Sequence, residues 1–124
     1  MLVKEIMKRP FVIEKDISLK EAAKMMKDNR IGCLILVSDD EISGIITEGD
    51  LTRNFGRQEK ISKIMSENIV TVEADEEMDK AVGIMKKNKI KRLPILNKGK
   101  LVGIITSTDI IANFEELEDE FIFE

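Results

Sequence analysis

One stretch of this chain is written twice. Gly44-Ile45-Ile46-Thr47-Glu48-Gly49-Asp50-Leu51 recurs as Gly103-Ile104-Ile105-Thr106-Ser107-Thr108-Asp109-Ile110, an offset of 59 residues. The same offset aligns Phe11–Leu51 with Val70–Ile110 without a gap, and 13 of the 41 aligned positions are identical. Upstream, Val3-Lys4-Glu5-Ile6-Met7 matches Ile61-Ser62-Lys63-Ile64-Met65 at offset 58, so one residue was gained or lost between. Self-similarity at fixed spacing means that one supersecondary unit was used twice. A unit of about 60 residues has a poor ratio of surface to volume and is marginal alone. The two copies, 1–56 and 57–124, are therefore expected to pack their sheets together.

Both copies give the same order of elements. A short extended piece, Phe11–Ile13 or Val70–Val72, is followed by a helix. In the first copy that helix opens Ser18-Leu19-Lys20-Glu21, the pattern of a capping box. Leu19, Ala22, Ala23 and Met26, and in the second copy Met78, Ala81, Val82 and Met85, fall at helical spacing. Two strands come next, Cys33–Ser38 and Ile42–Thr47, then Arg92–Asn97 and Leu101–Thr106. Polar links at Asp39-Asp40-Glu41 and Lys98-Gly99-Lys100 suit hairpins. A last helix is expected to start near Asp50 and near Asp109. Leu34–Val37 is apolar without a break, as in a strand buried on both faces. Residues 54–60 are a polar linker. Beyond Ile110, Ile111, Phe114, Leu117 and Phe121 recur at spacings of three and four, and a C-terminal helix is expected there.

Composition removes several classes of function. There is no histidine, hence neither the commonest general base nor the commonest metal ligand. A Ser-His-Asp triad, a Cys-His dyad and a zinc site are excluded within one chain, and the chain is not expected to be an enzyme. The single cysteine, Cys33, lies in an apolar run and is expected to be a buried hydrophobe. The net charge of −4 and the absence of tryptophan and tyrosine argue against nucleic-acid binding. No apolar run reaches the roughly 18 residues needed to span a bilayer, and the opening residues lack the apolar stretch of a signal peptide. The expected location is the cytoplasm.

The duplicated Gly-Ile-Ile-Thr-x-x-Asp segments, each behind the same helix and hairpin, resemble the CBS (cystathionine-β-synthase-type) domain, and the pair resembles a Bateman module. The resemblance covers residues 3 to about 112. It implies an α+β fold of two β-α-β-β-α repeats related by pseudo-twofold symmetry, with the sheets packed together and the helices outside. It also implies two clefts between the repeats that take AMP, ADP, ATP or S-adenosylmethionine, with no cofactor required. Family members often form homodimers and regulate an enzyme or transporter, in the same chain or separately. The function so implied is that of a sensor binding an adenine nucleotide. By the same resemblance the cleft carrying Asp109 is closed by Phe11, Val12, Ile13 and Ile35. The cleft carrying Asp50 is closed by Val70, Thr71, Val72 and Pro94.

Thr-x-x-Asp, at the junction of a strand and a helix, has two physical readings. Thr47 and Thr106 can cap the helix while the aspartate sits in its first turn, favoured by the helix dipole. With a ligand present, a helix N-terminus suits phosphate and a carboxylate can accept both ribose hydroxyls. In that role Asp109 is assigned to ribose, Thr106, Ser107 and Thr108 to phosphate or ribose, and Lys91 and Arg92 to phosphate. The clefts are expected to differ. Residues 80–108 hold eight bases and no acids, whereas residues 21–49 hold three bases and six acids. The positions aligned with Lys91 and Arg92 are Gly32 and Cys33. The Asp109 cleft is therefore expected to bind a phosphorylated ligand more tightly than the cleft with Asp50 and Thr47. Two alternatives stand beside the sensor: an assembly module with empty clefts, and a nucleic-acid binder using the basic patch Lys80–Lys100.

Overall fold

The computed structural model describes residues 1–113 and 115. It is a mixed α+β fold with two separate three-stranded sheets. In chain order the elements are β1 (Val12–Ile13), α1 (Leu19–Asn29), β2 (Cys33–Ser38), β3 (Glu41–Thr47) and α2 (Glu48–Arg53). Then come β4 (Val72–Glu73), α3 (Met78–Asn88), β5 (Arg92–Asn97), β6 (Lys100–Thr106) and α4 (Ser107–Ala112). Single 3₁₀ turns, Val3–Glu5 and Ile61–Lys63, precede each set.

In each sheet the long second strand is central. β1 lies parallel to β2, joined through α1, and β2 and β3 form an antiparallel hairpin; β4, β5 and β6 repeat the arrangement. Such a parallel pair needs a crossover, and the helix supplies it. The hairpin links demand left-handed backbone, which aspartate and glycine tolerate best. Asp39 and Asp40 take φ of 52° and 64°, and Lys98 and Gly99 take 53° and 81°. α1 and α3 both end on a left-handed residue, Arg30 and Lys89. α1 begins with the expected capping box, Ser18 Oγ accepting from Glu21 N at 3.1 Å. α3 has no side-chain cap, because Glu77 replaces the serine.

The chain divides into two compact units, and their boundaries differ from those of the sequence repeats. One unit is the continuous segment Pro10–Ile69; the other joins Met1–Arg9 to the chain from Val70 onward. Each leading segment is thus housed with the other repeat's sheet. In the continuous unit Ile61 N donates to Ile17 O at 2.8 Å, and Ser66 pairs with Ile45. Ile61 is fully buried among Ile13, Leu34, Leu36 and Ile46. In the discontinuous unit Val3 N donates to Glu76 O at 2.8 Å, and Val3 is buried with Met78, Leu93, Ile95 and Ile105. Burying side chains of this size contributes about 1.5–3 kcal/mol each.

Three expectations change in detail. The last helices begin at Glu48 and Ser107, two residues before the aspartates, because the threonines act as their N-caps. β1 and β4 are two residues long, so Phe11, Val70 and Thr71 lie outside the strands. α4 ends at Ala112, Asn113 lies in a turn and Glu115 is helical; Phe114 and residues 116–124 of the helix expected over Ile110–Glu124 lie outside the described residues. Cys33 is buried, as its apolar run requires. No helix among the described residues is long and apolar enough to cross a membrane.

Candidate functional site: the two Thr-x-x-Asp turns

Each Thr-x-x-Asp forms a reciprocal cap. Thr106 Oγ1 accepts from Asp109 N at 3.2 Å, while Asp109 Oδ2 accepts from Thr106 N at 2.9 Å and from Thr106 Oγ1 at 3.0 Å. The turn at Thr47 and Asp50 repeats these bonds at 3.3, 2.9 and 3.1 Å. The capping reading of the motif is therefore realised in both copies. It fixes one carboxylate oxygen of each aspartate and leaves Oδ1 for a second partner.

That partner differs between the copies. Asp109 is 2% exposed and is the one buried charged side chain among the described residues. Its Oδ1 meets Lys8 Nζ at 2.8 Å. Lys8 is set in place by its backbone, which exchanges two 2.9 Å hydrogen bonds with Ile104 on β6. The hydrogen bond to Asp109, and then the charge of Asp109, hold the Lys8 ammonium above its ordinary pKa of 10.5. Asp50 is 17% exposed, and its Oδ1 is taken at 2.6 Å by Arg53 Nη2, one turn along the same helix.

The remaining second-repeat residues cluster around the Asp109 turn. Arg92, half-buried, stands directly across the sheet from Thr106. Ser107 N donates to the Lys91 carbonyl at 2.9 Å and its hydroxyl reaches the same oxygen at 3.4 Å. Lys91 and Thr108 are exposed. The counterpart of Arg92, across from Thr47, is the neutral Cys33. Phe11, Val12, Ile13 and Ile35 belong to the other unit, on the β1–β2 side of its sheet. Ile13 and Ile35 are buried there, while Phe11 and Val12 are 36% and 40% exposed.

Val70, Thr71, Val72 and Pro94 occupy the matching edge of the discontinuous unit, with a difference in backbone. Ile35 N donates to Phe11 O at 3.0 Å. Pro94, at the aligned position, has no N–H to offer the Val70 carbonyl. Two grooves of mixed lining lie elsewhere, between paired helices. One, of about 560 Å³, is lined by Met26, Ile31 and Leu51 together with the polar Lys27, Arg30, Glu48 and Thr52. The other, of about 460 Å³, is lined by Val82, Met85, Ile90 and Ile110, with Lys91 and Ser107 at its margin.

Sequence reasoning missed Lys8 and Arg53. The signal for Lys8 was present, since extending the offset-58 match by one residue sets Lys8 opposite Ser66. Reading the leading segment as part of its own repeat hid its pairing with β6.

The chain belongs to the CBS-domain family: the family profile matches residues 3–57 and 61–116. It is similar to the solved CBS domain pair of protein MJ0100 in complex with 5′-methylthioadenosine and S-adenosyl-L-methionine. The TM-score is 0.85 and the identity 34%, over 94% of this chain and 97% of that one. An uncharacterized conserved protein from Pyrococcus horikoshii matches with TM-score 0.85 and 25% identity, over 91% of both chains. Among curated relatives, homoserine O-acetyltransferase of Methanosalsum zhilinae is 38% identical over 87% of this chain. Inosine-5′-monophosphate dehydrogenase of Thermoplasma acidophilum is 32% identical over 86%. The chain spans only 23% and 22% of those two proteins.

Proposed function

We propose that the chain is a regulatory module that binds an adenosyl ligand, with a phosphorylated adenine nucleotide preferred at the Asp109 turn. The observation that carries this reading is the likeness to the MJ0100 pair, whose solved form holds two adenosyl compounds. The chemistry of the turns supports it. Asp109 offers an acceptor to ribose, Thr106, Ser107 and Thr108 offer hydroxyls, and Arg92 and Lys91 bring positive charge, where the Asp50 turn offers Glu48 and Cys33. The exposed Phe11 and Val12, with Ile13 and Ile35, are proposed to frame the base; Val70, Thr71, Val72 and Pro94 serve the Asp50 turn likewise. The role is regulatory rather than catalytic, and what it regulates is an enzyme or transporter, in the same chain or separate from it.

Isothermal calorimetry with AMP, ATP, 5′-methylthioadenosine and S-adenosylmethionine tests this directly. Saturable binding of at least one is expected, weakened by Asp109→Ala and by Phe11→Ala; no heat with any of the four overturns the reading. We propose a homodimer formed through the helical faces around the α1–α2 and α3–α4 grooves, where Met26 and Met85 supply adaptable apolar contact.

A further inference from the structure

We propose that Lys8 is a ligand-binding residue of the Asp109 site: it pairs with Asp109 in the free chain and passes to a negatively charged group of the ligand when ribose hydroxyls take its place. This rests on the adenosyl reading above and adds a residue and a selectivity to it.

The argument starts from the carboxylate. A buried charge must be paired, and both oxygens of Asp109 are engaged. Oδ2 is engaged in the cap of α4, accepting from Thr106 N and Oγ1. Among the described residues Oδ1 is held by Lys8 alone, whose side chain is 69% exposed. A diol seeking an acceptor must therefore take the Lys8 position. The exchange leaves no bare carboxylate, because the ribose hydroxyls donate to Oδ1 as the exposed Lys8 ammonium departs. The ammonium cannot go far, because the Lys8 backbone is fastened to Ile104 on both sides and Met7 covers Gly103. It is left charged beside the newcomer. A neutral ligand strands it, whereas an anionic one pairs with it. The Asp50 turn has no such device, since Ser66 stands where Lys8 would be and Arg53 comes from the aspartate's own helix.

The test compares AMP with adenosine by calorimetry on the full chain. The wild type should prefer AMP. Lys8→Met should lower AMP affinity about five- to tenfold while adenosine binds equally well or more tightly. Lys8→Arg should restore the preference. Lys8→Gln, which keeps a donor for Asp109, gives the same comparison should Lys8→Met lose its thermal transition. Equal losses for both ligands would assign Lys8 a purely structural part and overturn the proposal, as would no change for either. A wild type that binds neither ligand overturns the adenosyl reading, and this proposal falls with it.

Discussion

A carboxylate that caps a helix has one oxygen to spare, and Asp109 and Asp50 spend it differently. Arg53 sits on the same helix as Asp50 and holds it without reference to the rest of the unit. Asp109 depends on Lys8, from more than a hundred positions earlier. Asp109→Ala should weaken the tighter nucleotide site by roughly tenfold to over a hundredfold, the value of a charge-assisted hydrogen bond, and Asp50→Ala should spare it. Calorimetry on the two variants decides; the reverse pattern would refute the charge argument. Losing the cap should also cost each helix about 1 kcal/mol, read by thermal melting. The Lys8 pair makes a separate prediction about pH. Its pKa in the folded chain lies above 10.5, so its contribution is complete below that value and fades as pH rises through the folded value. Urea midpoints of the wild type and Lys8→Met should differ at neutral pH and converge in strong alkali. The threonines, the aspartates and the charge contrast were legible in the sequence because they recur at one offset. Lys8 stood one residue beyond the offset-58 match, but its bridge to Ile104 on β6 could not be read from that spacing.

At the scale of elements, what the sequence made legible followed the strength of the local signal. β2 and β5 have the expected limits, since the apolar stretches Cys33–Val37 and Leu93–Leu96 within them are bounded by glycine or polar residues. β1 and β4 were blurred: two residues of parallel pairing have no period, and the neighbouring apolar Phe11 and Val70 look equally extended. One close approach could be read only from coordinates. A Cβ on Gly103 would lie 2.5 Å from Met7 Sδ and 3.0 Å from Met7 Cβ, and one on Gly44 would lie 2.5 Å from Met65 Sδ. Gly103→Ala should therefore destabilise the chain by about 1–3 kcal/mol, and adding Met7→Ala should recover part of the loss in chemical denaturation. An additive double mutant would contradict the packing argument. The helical grooves make the dimer testable. Light scattering should give twice the chain mass, and Met85→Asp or Met26→Asp should shift it toward the monomer; a wild type of single-chain mass at micromolar concentration would refute the assembly.

For the whole molecule the decisive fact is the exchange of leading segments between the sequence repeats. The duplicated pattern showed that there are two copies; it could not show that residues 61–69 complete the unit of the first copy or that Met1–Arg9 complete that of the second, because both leaders carry the same apolar spacing. A fragment 10–69 should melt cooperatively, whereas 1–56, which lacks Ile61 and its neighbours, should not: emptying the Ile61 position alone costs about 2–5 kcal/mol. Circular dichroism on the two peptides separates these outcomes. The same exchange reaches back to the ribosome. By the time residue 69 has emerged, one unit has all its parts, yet the segment Met1–Arg9 is still waiting for strands not yet translated. At about 5–20 residues per second, residues 70–124 take roughly 3–11 s more, and through that interval Val3 and Ile6 stand open to whatever meets a nascent chain.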